Sequence, residues 1–123
     1  MASHITSAAT FAQTVAVTGA FSAAASVAVG GGTAITKIVK GTVTVDPADL
    51  ASVTAADKDI TIAGAAVGDM VILHPPATAL TAGFLICQAW VSATDTVTVR
   101  FYNASGGAIN IASGTWAYCL IRS

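Results

Sequence analysis

Along most of this chain apolar and polar residues alternate with a period of two, and glycine, proline or aspartate interrupts the alternation at intervals. That rhythm puts successive side chains on opposite faces of a strand. "KIVKGTVTV" (37–45) is the first long run, and it stops at Asp46-Pro47 because proline has no N–H to give a ladder. "DITIA" (59–63) ends at Gly64, and "DMVILH" (69–74) lies between Gly68 and Pro75-Pro76. "FLICQAWVS" (84–92) leads through Ala93-Thr94 into "DTVTVRFYN" (95–103), which predicts a hairpin. "SGG" (105–107) is read as turning that strand back, and "TWAYCLIRS" (115–123) is the last run. One helical turn is expected, at "ADL" (48–50). The pattern predicts an all-β protein: a small antiparallel β-sandwich or jelly-roll-like domain over residues 33–123, preceded by an extended N-terminal arm over 1–32.

The faces of the predicted strands carry more than their number. In 95–103, Val97, Val99 and Phe101 share one side while Thr96, Thr98, Arg100 and Tyr102 share the other, a strand with one wet face. The runs 84–92 and 115–123 are apolar on both sides. Leu85, Cys87, Ala89 and Val91 oppose Phe84, Ile86 and Trp90, while Ala117, Cys119 and Ile121 oppose Trp116, Tyr118 and Leu120. The cysteine-bearing sides are assigned to the core, which makes Cys87 and Cys119 buried thiols or a cross-strand disulfide pair. Phe84, Ile86, Trp90, Trp116, Tyr118 and Leu120 are then too large and aromatic a set to leave in water, and are expected at a subunit interface or under the sheet's own loops.

The arm repeats itself. "TVAVTGA" (14–20) and "SVAVGGG" (26–32) superpose at an offset of twelve residues, each a hydroxyl-Val-Ala-Val run closed by glycine. Val15 and Val17 share a face, as do Val27 and Val29. A lone strand this short does not offset an ordering cost of roughly 1–2 kcal/mol per residue, so it is either a low-complexity leader or an arm ordered only against a partner. Its chemistry favours the arm. No Asp, Glu, Lys or Arg occurs before Lys37, whereas disordered tails are rich in charge. Phe11, Val15, Val17, Phe21, Val27 and Val29 are its candidate contact residues, and the glycines at 30–32 its joint to the domain.

Composition narrows the function classes. The net charge is −1 over 123 residues, with five basic side chains, so no basic field exists to neutralise phosphates and nucleic acid is not an expected partner. Glycine, serine and threonine interrupt every long apolar stretch, so neither a membrane span nor a secretory leader is expected. His4, His74 and the six aspartates (46, 49, 57, 59, 69 and 95) form no catalytic order or metal-ligand spacing, and the aspartates sit at strand ends and turns. No enzymatic activity and no cofactor is expected. Asn103-Ala104-Ser105 matches a glycosylation sequon but reads as a turn. Trp90, Trp116, Tyr102 and Tyr118 could stack on a sugar, which keeps a carbohydrate-binding module as another class of reading.

In order, "GTVTVDPA", "GAAVGDMV" followed by "PP", "ATDTVTVR" and the closing "TW" with "IR" give residues 30–122 a resemblance to a β-domain that recurs in structural proteins of tailed bacteriophages. The leader is similar to the repeats that precede such domains in fibres and spikes. The resemblance implies a virion protein without catalytic residues, made in the bacterial cytoplasm and placed on the phage head. It implies a homotrimeric capsid decoration (cement) protein whose partners are its own copies and the major capsid protein, or else a module of a head or tail fibre.

Overall fold

The computed structural model describes residues 18–20, 22, 24–79 and 81–123. The fold is all-β, with six strands among the described residues: β1 (Lys37–Val45), β2 (Ala55–Thr61), β3 (Met70–His74), β4 (Phe84–Ala93), β5 (Thr96–Asn103) and β6 (Gly114–Arg122). They form two antiparallel three-stranded sheets, ordered β1-β6-β3 and β2-β5-β4, that pack face to face as a small sandwich. Four expectations about the path of the chain change. The "DITIA" strand begins four residues earlier, at Ala55. Residues 48–50 make no helical turn, because Leu50 is drawn into a bridge with Ile109. The short 3-10 turn lies at Ala77–Ala79 instead, after the two prolines. Residues 105–107 do not fold β5 back on itself, since β6 crosses to the other sheet and pairs with β1 and β3.

The core is built from the inward residues of both sheets. Val45, Trp116 and Leu120 come from one layer, and Ile60, Phe84, Val91, Val97, Val99 and Phe101 from the other. At its centre Phe101 stacks on Phe84 with ring centroids 5.3 Å apart and meets Trp116 edge-on at 6.0 Å. Both arrangements suit the ring quadrupoles. Tyr118 lies across β1 at Gly41, where a Cβ would come within 2.7 Å of the phenol oxygen. A glycine in mid-strand is therefore a fitted part of the sheet here, since it makes room for the ring.

These contacts correct the expected interface. Phe84, Trp116 and Leu120 are buried in the chain's own core, so they are not available to a partner. Tyr118 and Ile86 pack against that core as well. The inward side of β6 is Trp116-Tyr118-Leu120, and the outward side is Ala117-Cys119-Ile121, the reverse of the sequence assignment. Bulk decides this: a sheet of three short strands fills a two-layer core with its largest side chains, not with alanine and cysteine. In β4 the pairing register shifts between Ile86 and Gln88. Such a bulge adds a residue, so strict alternation fails across it. Phe84 and Ile86 point inward before it, Ala89 and Val91 after it, and Trp90 is left on the outer side. Cys87 is exposed and Cys119 half-buried, both as free thiols, so neither the buried nor the disulfide expectation holds.

The loop between β5 and β6 is organised by Asn103, which is fully buried. Its Nδ2 donates to the carbonyls of Leu50, Ala51 and Gly107 at 3.1, 3.0 and 2.7 Å. Its Oδ1 accepts from the backbone N–H and hydroxyl of Ser105 at 2.8 and 2.7 Å. The side chain of the sequon is thus consumed in tying residues 50–51 to residues 105–107, and the hairpin turn expected there is not formed. Asn103→Ala removes all of these bonds at a fully buried side chain, leaving the Ala51 carbonyl and the Ser105 N–H without them, and is expected to cost about 2–3 kcal/mol, read as a lowered urea midpoint. A midpoint equal to that of the unaltered chain would refute the assignment.

Candidate functional site

Removing the core residues leaves two outer sheet faces of opposite character. On β2-β5-β4 the cross-strand rows are Asp57–Arg100–Gln88, Asp59–Thr98–Trp90 and Ala55–Tyr102–Leu85. Arg100 clasps Asp57 through Nε and Nη2, each at 2.7 Å, and its guanidinium lies 5.4 Å from the centre of the Trp90 ring. The Thr98 hydroxyl donates to Asp59 and is shared with Ser92. The hydrogen bonds from Arg100 hold the Asp57 carboxyl below its ordinary pKa. This face is mainly polar and ion-paired, with Leu85 as its one exposed large aliphatic side chain among the described residues.

The outer face of β1-β6-β3 is different. Its rows are Ile38–Ile121–Met70, Lys40–Cys119–Ile72 and Thr42–Ala117–His74. Ile38 is 56% exposed, Met70 63% and Ile72 52%. Beyond the end of the sheet Val67 and Ile35 add further exposed apolar surface, and a hollow of about 410 Å³ lies between Ile35, Met70 and Ile121. Contiguous apolar area of this kind, carrying Lys40 as its charged residue, is what a binding face presents rather than a solvated one. The sequence reading looked for this surface on β4 and β6 and put it on the wrong side of β6. The signal that locates it is the outward set Ile38, Met70, Ile72 and Ile121, which lies on three strands and needs the sheet order to be seen as one patch.

One end of the sandwich is locked by charge. Arg122 donates from Nε to Asp69 Oδ1 at 2.7 Å and from Nη2 to Asp69 Oδ2 at 2.8 Å, with a further bond from Nη2 to the Gly64 carbonyl at 3.1 Å. The Asp69 side chain is 3% exposed. Arg122, set against the cost of burial and aided by the Ala66 N–H, holds this carboxyl below its ordinary 3.8. A depressed carboxyl pKa stabilises the fold above the unfolded value, and that contribution is lost as pH falls through the folded value. Acid unfolding should therefore steepen below about pH 4, and Asp69→Asn should flatten the profile in that window. Parallel acid profiles for the two chains would refute the role of this pair.

Of the arm residues, Phe11, Val15, Val17 and Phe21 lie outside the described residues. Val27 is paired with Ile35 in an antiparallel bridge, and Val29 is 81% exposed at the tip of the resulting hairpin. Gly30 and Gly31, both at positive φ, make the turn, so the three glycines act as part of a hairpin as well as a joint. Among the described residues no group of three His, Cys, Asp or Glu side chains is placed to hold a metal ion. No family model, no curated protein and no solved structure matches the chain. What the fold defines is the class: a small two-sheet all-β domain whose two outer faces differ in polarity.

Proposed function

We propose that this chain is a structural virion protein, a capsid decoration (cement) protein that assembles as a homotrimer on the head of a tailed phage and contacts the major capsid protein. One observation carries the assembly half of the reading: the sandwich is apolar on the outside of β1-β6-β3 and polar and ion-paired on the outside of β2-β5-β4. Such sidedness turns one face to neighbouring chains and the other to solvent. The resemblance of residues 30–122 supports the phage setting, and the charge-free arm supports contact beyond the domain. Many weak contacts repeated around a symmetric shell hold by avidity rather than by one strong bond. A decoration protein co-purifies with heads in amounts comparable to the shell protein, and heads lacking it break at lower temperature. Low copy number together with lost adsorption would instead identify a fibre component and overturn the head assignment.

The fibre or spike alternative, with glycan binding, is favoured by the half-exposed Trp90 and Tyr102 beside Arg100 and Gln88 on the wet face. It makes a clean spectroscopic prediction, because Trp116 is buried and only Trp90 is placed to respond. A glycan on this face quenches indole emission in the unaltered chain and not in Trp90→Phe. Emission that no glycan changes removes this reading.

A further inference from the structure

The open side of β1 identifies what the arm does. β1 is an outer strand of its sheet, nine residues long, with a ladder to β6 on one side. Just ahead of it, Val27 and Ile35 exchange both backbone hydrogen bonds, with the Val27 N–H donating at 2.9 Å and the Ile35 N–H at 2.8 Å. The chain thus places a single bridge just ahead of the outer edge of β1. Running back from Val27, Ser22, Ala25 and Ser26 line a groove of about 550 Å³ with Ile35 and Ile38. Yet among the described residues the pairing stops after that single bridge, and none of 18–20, 22 or 24–26 lies in a strand.

Val27 belongs to the second copy of the repeat, and its bridge to Ile35 sets that copy in extended backbone just ahead of β1. The first copy, Thr14 to Ala20, has the same alternation. We infer that residues 14–20 of one chain add as a strand to the open edge of β1 in a neighbouring chain. The inference rests on the assembly reading above and names a contact that reading leaves open. Strand addition supplies hydrogen bonds to backbone groups that one chain leaves without a ladder, and it needs no exact side-chain match. Lys37 and Lys40 discourage pairing of β1 with a basic strand or with a second β1, whereas an uncharged strand meets no repulsion there. Among the described residues the leader leaves the ladder at Ser26, and no further strand lies against the outer edge of β1. Exchange of an identical element between copies is an economical route to a symmetric oligomer.

The test uses full-length chains in which Cys87→Ser and Cys119→Ser remove the native thiols. One chain carries Val17→Cys, a second carries Thr42→Cys on the β1 edge, and a control carries Thr94→Cys in the exposed β4–β5 turn. After mixing and treatment with a short bismaleimide, V17C should link to T42C at least roughly tenfold faster than to T94C, as local concentration at the edge requires. Adding Val15→Pro and Thr18→Pro to the V17C chain should abolish the link, because these strand N–H donors are lost. Equal rates, no link, a link that survives both prolines, or a link formed only inside a chain carrying V17C and T42C together would each overturn the inference. Head co-purification reads separately. Chains that decorate heads without the 17–42 link refute the strand addition alone, and chains that link without binding heads refute the virion assignment alone.

Discussion

Phe101→Ala is expected to cost the domain about 3–5 kcal/mol, enough to unfold a protein of this size at moderate temperature. Phe101 is fully buried and touches an aromatic ring of each sheet, Phe84 at 5.3 Å and Trp116 at 6.0 Å. Removing it opens a cavity between the layers and separates the two partners at once. Neither neighbour is free to fill the space, because Phe84 starts β4 at its pairing with Asn103 and Trp116 is fixed opposite Val43. Equilibrium urea unfolding followed by tryptophan emission measures the loss, since Trp116 reports the site directly. A shift equal to that of an exposed substitution such as Thr44→Ala, made on an outward strand position, would show that the layers are not held together here.

The second large effect lies on the surface and should leave stability nearly untouched. Ile38→Asp combined with Ile72→Asp puts two carboxylates into the outer rows of β1-β6-β3, at positions 56% and 52% exposed in the single chain. Burying unpaired charge in an interface costs about 3–5 kcal/mol, so self-association should weaken roughly a hundredfold or more. Light scattering over a dilution series measures this, with the thermal midpoint as the control for folding. Substituting Asp57→Ala and Asp59→Ala on the polar face should leave the assembly unchanged. If the Ile38/Ile72 pair leaves the oligomer intact while the Asp57/Asp59 pair dissolves it, the sidedness of the sandwich has been read backwards.

The strands were legible because each is bounded by residues with a strong local preference: Asp46-Pro47 after β1, Gly68 before β3, and the Thr94-Asp95 turn between β4 and β5. The turn falls one residue later than the expected Ala93-Thr94, with Asp95 at φ 57° and its carboxylate accepting from the Gly64 N–H at 2.6 Å. β5 had only one way to face, because Val97, Val99 and Phe101 alternate with polar residues. β6 did not, since both of its sides are apolar. What decides between Trp116 and Ala117 is the volume to be filled between two sheets, a property of the assembled layers and not of the strand. In β4 the bulge at Cys87 changes the facing of Gln88 through Val91 relative to Phe84 and Ile86, a second shift follows between Val91 and Ala93, and nothing in "FLICQAW" marks the first. The candidate surface was legible as a need, apolar strands with too little core to bury them, but its location required the order β1-β6-β3. Asn103 was readable as a turn residue, though its hold on Leu50 and Ala51 spans about fifty residues and leaves no local trace.

The sheet order also sets a timetable for folding. β4 and β5 are neighbours joined by a two-residue turn, so that hairpin gathers locally, and β2 joins it across shorter separations than β1 needs to reach β6. β1 and β3 must instead wait for β6, whose first residue, Gly114, pairs with Val45 across nearly seventy positions. Loop closure over that distance is slow compared with a hairpin. During the wait the side that becomes the outer surface of β1 and β3 is exposed together with their unpaired backbone. A nascent or refolding chain is therefore at its stickiest in the same apolar residues, Ile38, Met70 and Ile72, that stay exposed in the folded domain, so crowded synthesis would favour aggregation through them.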